Sequence, residues 1–528
     1  MDGSSGGPVV DSLRMVEPRG PVSLGTRASG VLLHPTSLPG RHGVGDLGAT
    51  ARSFVDFLDR AGQRWWQMLP VAPPGYGNSP YSAESAFAGS PMLIDLDDLV
   101  RRRWIEASAL EPAAALPESR VDYARAEAHR RPRLAAAFRV FREAPGADRA
   151  PFEAFCESSR GWLDDYALFH ALKRAHGNAP WTLWKAGYRT RESSALAHAR
   201  TELADRILAA KFEQYVFDAQ WSRLRRYAHD HGVGLIGDLP IFVAHDSADV
   251  WQSPDLFRLD ARGEPTVVAG VPPDYFSSTG QRWGNPLYRW RRLRETGYAW
   301  WVERLRMMAR RFDAIRLDHF IGFQRYWEIP SAEPTAVRGV WRKGPGAELF
   351  EVLARELGAL PFIAEDLGAV TPQVVLLRDR LRLPGIRVLQ FAFGDDPSAS
   401  TFLPHTYPKR CVVYTGTHDN DTTQGWFHDE GGEQSTRSAA QVERERSAAM
   451  QYLKSDGTEI HWDMIRMAWL SVARLAIVPM QDVLGLGAWA RMNRPGEPSG
   501  NWEWRLSPGA LGDELALRML GLTRVYGR

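Results

Sequence analysis

Four acidic residues in this chain each close a run of apolar residues. Asp238 ends GLIGD, Asp318 ends AIRLD, Glu365 follows Phe362, Ile363 and Ala364 in FIAED, and Asp419 follows His418 at the end of VVYTGTHD. Arg316 stands two residues before Asp318, and on an extended strand that spacing puts both side chains on one face. A guanidinium beside a carboxylate keeps it charged, as a nucleophile requires. Glu365 follows three apolar residues, and an apolar setting raises a carboxyl pKa, which suits a general acid. Such a pair is what glycosidic bond cleavage needs. One carboxyl protonates the departing oxygen while the other attacks the anomeric carbon or activates water. Any one of these residues, taken alone, can simply cap the helix that follows its strand. Four of them meeting at one barrel mouth favour chemistry over capping.

To meet, they need a scaffold. Eight short apolar runs read as strands: 30–35, 65–71, 233–243, 314–320, 362–368, 386–393, 411–419 and 476–484. Several are apolar nearly throughout, as parallel strands covered on both faces are. Helical spacing lies between them, at Ala49–Ala61, Tyr298–Arg311, Ala347–Leu357 and His461–Leu475. Strands alternating with helices predict right-handed βαβ units, and eight of them predict a (β/α)₈ TIM barrel of the α/β class. The active site then belongs at the C-terminal ends of the strands. Residues 99–226 are rich in Ala, Arg and Glu and read as an inserted helical subdomain. Residues 242–290, rich in Gly, Pro, Ser, Asp and aromatics, read as a long loop region over the substrate. Residues 1–27 read as a flexible tail before a catalytic domain spanning 28–528.

Composition narrows the function classes. The 65 basic and 63 acidic residues leave a net charge of +2, which offers no field for nucleic acid or an anionic membrane. No apolar run reaches the roughly 18–20 residues of a membrane span, and the N-terminus lacks a secretory pattern. Cys156 and Cys411 suit a reducing cytoplasm, where both stay free. The 20 Trp, 15 Tyr and 22 Phe fill a core, stack on sugar rings, or both. Oligomeric state leaves no mark in the sequence.

AIRLDHFIGF, FIAEDLG and TGTHDN, in this order, resemble the catalytic blocks of the 4-α-glucanotransferases of glycoside hydrolase family seventy-seven, within the α-amylase clan. GYGNSPYSAESAFAGSP, GDLPIFVAHDSADVW, GVPPDYFSSTGQRWGNP and NRPGEPSGNWEWR are similar to further signatures of that family. The resemblance implies Asp318 as nucleophile, Glu365 as general acid/base and Asp419 as stabiliser of the transition state. It places Arg316 and His418 against the reacting sugar, and Tyr76, Tyr81, Asp274, Trp283, Phe391 and Asp395 along the substrate groove. Asp238, at its strand end, joins this substrate-binding set. The implied partners are α-1,4-glucans, with glucose as an acceptor, and the implied chemistry uses no cofactor. An α-glucan hydrolase with water as acceptor, or a glucan-binding protein, are the alternatives. An intact triad with Arg316 weighs against a mere binder.

Other motifs carry less. GVGDLG at 43–48 matches a dinucleotide glycine pattern, but follows LPGRH rather than a strand end and reads as a turn. HDND at 418–421 holds metal-binding types without a companion set elsewhere, so no metal is expected. RWRRLR at 289–294 reads as a solvated helix face.

Overall fold

The computed structural model describes residues 22–111, 116–273, 277, 279–432, 437–497 and 499–528. Twelve strands are present among them: β1 (Ala28–Leu32), β2 (Trp65–Gln67), β3 (Gly234–Leu239), β4 (Val267–Val271), β5 (Gln281–Pro286), β6 (Ala314–Leu317), β7 (Arg325–Pro330), β8 (Val340–Lys343), β9 (Phe362–Ala364), β10 (Gly385–Val388), β11 (Cys411–Tyr414) and β12 (Leu475–Pro479). Eight of them close a barrel in the order β1-β12-β11-β10-β9-β6-β3-β2, every pair parallel. These are the eight runs read as strands from the sequence, and the fold is a (β/α)₈ barrel. Every residue of β1, β2, β3, β6, β9, β11 and β12 is buried, which is why those runs are mostly apolar. Inside the barrel the Tyr414 hydroxyl donates to Gln67 Oε1 at 2.8 Å.

The stretch between β2 and β3 is helical, with helices at Leu96–Arg101, Tyr123–Arg142, Gly146–Ser158, Arg160–Ala175, Ser193–Glu202 and Ala204–Asp230. The last of these runs along the barrel and clamps the incoming 75–95 segment. Gln214 exchanges both amide hydrogen bonds with the Gly89 backbone at 2.7 and 2.8 Å, and Gln220 does the same with Asp95 at 2.7 and 3.1 Å. Each amide is buried and fully paired, so the segment carrying Tyr81 is fixed in register.

Two expectations need correction. Residues 242–290 are not one long loop, because they contain β4 and β5. These join β7 and β8 in an antiparallel sheet, order β5-β4-β7-β8. β5 (QRWGNP) is partly and β8 (VWRK) mostly solvent-facing, and neither forms an apolar run that would announce it. The tail reading also extends too far. Arg27 donates to the carbonyls of Trp469 (2.7 Å), Ser471 (2.8 Å), Ala473 (3.0 Å) and Tyr526 (3.2 Å). Val22 and Leu24 pack against the core. The rest of that tail, 1–21, lies outside the described residues.

The glycines at 43–48 form the turn before helix Ala49–Arg60, with Gly48 N–H donating to Asp46 at 2.9 Å. Arg291, Arg292 and Arg294 lie on helix Trp290–Glu295 and pair with Glu295, Asp255 and Glu348 at the surface, whereas Arg289 precedes the helix and donates to the Phe257 and Leu259 carbonyls. Cys156 and Cys411 are both free thiols. No helix of the described residues is long and apolar enough to cross a membrane.

Candidate active site

Sheet register builds the site. β3 and β6 pair so that Asp238 lies directly beside Arg316. β6 and β9 pair so that Leu317 lies beside Ala364, which sets Asp318 and Glu365 at neighbouring strand ends. Backbone hydrogen bonds fasten that step: Asp318 N–H donates to Leu239 O at 3.0 Å, Glu365 N–H to Leu317 O at 3.2 Å, and Phe320 N–H to Glu365 O at 3.0 Å.

Arg316 is the hub. Its Nη1 lies 2.8 Å from both oxygens of Asp238 and 2.8 Å from Oδ1 of Asp318. Burial works against the cation, but the carboxylates of Asp238 and Asp318 outweigh it and hold the guanidinium's pKa well above its ordinary value. Asp238 is further satisfied by the Tyr81 hydroxyl at 2.8 Å. Burial and the Asp238 charge push the Tyr81 pKa well up, so it remains a phenol donor. The Tyr81 ring stacks on His418, 5.1 Å between centroids and 13° between planes. Tyr81 therefore ties the β3 wall to the loop after β11.

Glu365 is buried, and its Oε2 accepts from the His319 N–H at 2.6 Å. Burial raises its pKa well above the ordinary glutamate value, and the nearby Asp318 charge adds to this against the opposing pull of Arg316. A carboxyl group biased toward its protonated form is thereby held beside Asp318, which accepts from the Arg316 guanidinium. Burial pushes His319 down to about 4, so its ring is neutral. Trp283 stands edge-on to that ring at 4.9 Å, bringing the base of the β4–β5 hairpin to the residue after Asp318. His319 itself sits at φ 50°, a left-handed conformation that turns the chain sharply after Asp318.

Asp419 lies across the mouth, its side chain 46% exposed and its Oδ1 3.4 Å from His418 Nε2. Two residues that the sequence reading passed over hold it. Asn493 Nδ2 donates to Asp419 Oδ1 at 2.6 Å, and Arg491 Nη2 donates to the Asp419 carbonyl at 2.6 Å. Asn493 opens the NRPGEPSGNWEWR motif, so the resemblance pointed to the segment without naming its job. Asn420, the middle of HDND, turns away and accepts from Thr417 N–H and Oγ1 at 2.9 and 2.8 Å. It serves the turn rather than a ligand set.

The structure thus gathers Tyr81, Asp238, Trp283, Arg316, Asp318, Glu365, His418 and Asp419. Tyr76 is 84% exposed at a tight turn. Phe391 packs edge-on to Phe402 at 5.5 Å, and Asp395 pairs with Arg444 at 2.5 Å. Asp274, with Tyr275 and Phe276, lies outside the described residues.

A family model described as 4-alpha-glucanotransferase matches residues 33–511. The chain belongs to the 4-α-glucanotransferase family. It is 50% identical over 511 residues to the 4-alpha-glucanotransferase of Thermus thermophilus, covering 95% of this chain and 99% of that one. It is 46% identical over 510 residues to the corresponding Synechocystis protein, covering 96% and 99%. Its fold superposes on an amylomaltase from Streptococcus agalactiae, solved in complex with acarbose, with a TM-score of 0.90 and 37% identity over 95% of this chain and 99% of that one. This 4-α-glucanotransferase is therefore an enzyme.

Proposed function

We propose that this enzyme cuts an α-1,4-glucan donor and passes the released segment to the 4-hydroxyl of glucose or another glucan, with retention through a covalent glucosyl-enzyme. Asp318 attacks the anomeric carbon as the bond to the leaving 4-oxygen breaks, and Glu365 gives its proton to that oxygen. The glucosyl ester on Asp318 is then attacked by an acceptor 4-hydroxyl, whose proton returns to Glu365 as Asp318 leaves. Asp419 faces the developing positive charge, and Asp238, Tyr81 and His418 line the reacting sugar. One observation carries this reading: Glu365 is buried at the strand end next to that of Asp318, and Asp318 accepts from the Arg316 guanidinium at 2.8 Å. Burial raises the Glu365 pKa, the direction a proton donor needs.

Incubation with maltotriose tests it. Glucose together with maltopentaose and longer sugars is the expected product set. Reducing ends that rise without longer products would make the enzyme a hydrolase. Covalency is tested separately. Glu365→Gln given an α-maltosyl fluoride should accumulate a glycosyl adduct on the peptide containing Asp318, detected by mass spectrometry.

A further inference from the structure

Of the 20 tryptophans, all of them described, only Trp283 and Trp489 are exposed, at 38% and 67%. Trp283 stands beside Asp318 through His319. Trp489 follows β12, which neighbours β11 in the barrel, and β11 lies three strands from β6, with β9 and β10 between them. It lies in the short turn Ala488–Ala490, whose backbone is fixed on every side. Ala490 N–H donates to Gly487 O at 3.0 Å and Arg491 N–H to Ala488 O at 3.1 Å. The Ala490 carbonyl accepts from buried Gln481 at 3.3 Å. Gly425 leaves no room for a Cβ against Ala488. The turn is anchored while its middle side chain projects into solvent. Two residues further on, Arg491 holds the Asp419 carbonyl, and Asn493 holds its carboxylate. Trp489 is thus mounted on the same rigid piece as the third carboxylate. Exposed Arg494 reaches back to the Ala488 carbonyl at 3.4 Å, which brings a guanidinium to the turn that presents the indole.

A flat apolar face with a hydrogen-bond donor at its edge matches one pyranose face, C–H groups on the ring and hydroxyls around it. We propose that Trp489, with Arg494, is a distal glucan-stacking subsite on the Asp419 side of the mouth. It holds chains long enough to run past the reacting sugars and so sets the enzyme's preference for long over short glucans. This inference rests on the α-1,4-glucan substrate proposed above.

The test compares kcat/KM for amylose of about twenty units with kcat/KM for maltotriose, in wild type, Trp489→Ala, Trp489→Phe and Arg494→Ala. The long-to-short ratio is expected to fall about tenfold in Trp489→Ala, the loss of one stacked contact. Trp489→Phe, which keeps a ring, should retain most of the ratio, and Arg494→Ala should fall between. A ratio within twofold of wild type in Trp489→Ala overturns the subsite. So does an equal fall in Trp489→Phe, since a ring would then have no stacking role. A structural effect would lower both substrates together and leave the ratio unmoved. Wild-type enzyme that made no longer products from maltotriose would instead remove the substrate reading itself.

Discussion

Asn493 offers the sharpest test of how Asp419 is used. Its amide nitrogen lies 2.6 Å from Asp419 Oδ1, the one side-chain hydrogen bond that fixes that carboxylate's orientation among the described residues. A hydrogen bond to a charged acceptor is worth about 1.5–3 kcal/mol. The Asp419 side chain is 46% exposed, so water replaces part of what Asn493→Ala removes. The low end of the range therefore applies, about 1.4 kcal/mol or tenfold in rate. If Asp419 acts on the transition state, that loss falls on kcat and leaves KM little changed. Asn493→Asp places a second carboxylate against the first, and should cost more than alanine at neutral pH while recovering in acid as one of the two protonates. The assay is steady-state disproportionation of maltotriose with glucose release as readout, alongside a melting curve for each variant. Asn493→Ala that keeps more than half of wild-type kcat, with an unchanged melting temperature, would show that Asp419 needs no such support.

Asp318→Asn should abolish turnover of every donor, whereas Glu365→Gln should abolish it for glucans but spare glycosyl fluorides, which leave without a proton; equal loss on both donors would remove Glu365 from the acid role. Because burial raises the folded-state pKa of Glu365 above its unfolded value, its protonated form is the one the fold favours, and stability from this group is lost as pH rises through the folded pKa. Glu365→Gln should therefore melt above wild type by a margin that is absent in acid and grows as pH rises, and a pH-independent margin would refute this. For the same reason the alkaline limb of wild-type kcat/KM should lie above the ordinary glutamate range, read from a pH–rate profile. Arg27→Ala leaves the Ala473 and Tyr526 carbonyls without their donor, while Arg528 still reaches those of Trp469 and Ser471, and should cost about 2 kcal/mol of stability by denaturant titration, with kcat unchanged.

The barrel was readable because its strands are buried on both faces and so spell themselves as unbroken apolar runs. The carboxylates were readable because a charged residue at the end of such a run is conspicuous. The second sheet was not, since β8 (VWRK) carries mostly exposed side chains and β5 includes two glycine- and proline-adjacent positions that read as loop. Asn493 and Arg491 were missed for a different reason. Each acts on Asp419 from more than seventy residues away, and neither an amide nor a guanidinium in a Gly- and Pro-rich segment signals which backbone it will meet. Arg27 looked like tail because its partners, at the end of helix Ile460–Leu470, come from the far end of the chain.

The seam between β1 and β12 has a consequence for how the enzyme is made. Ala28 pairs with Leu475, so the two strands that close the cylinder are separated by 447 residues of sequence, the difference of those two numbers. At synthesis rates of about 5–20 residues per second, β1 waits roughly 20–90 s on the ribosome for its partner. Through that interval the nascent sheet carries a bare edge of unpaired amides and carbonyls, the kind of template that recruits other strands. The burden of avoiding misassembly falls on the interval before Pro479 emerges, and stalled chains cut short of β12 should be the ones that bind chaperones and lose Ala28–Leu32 first to a protease.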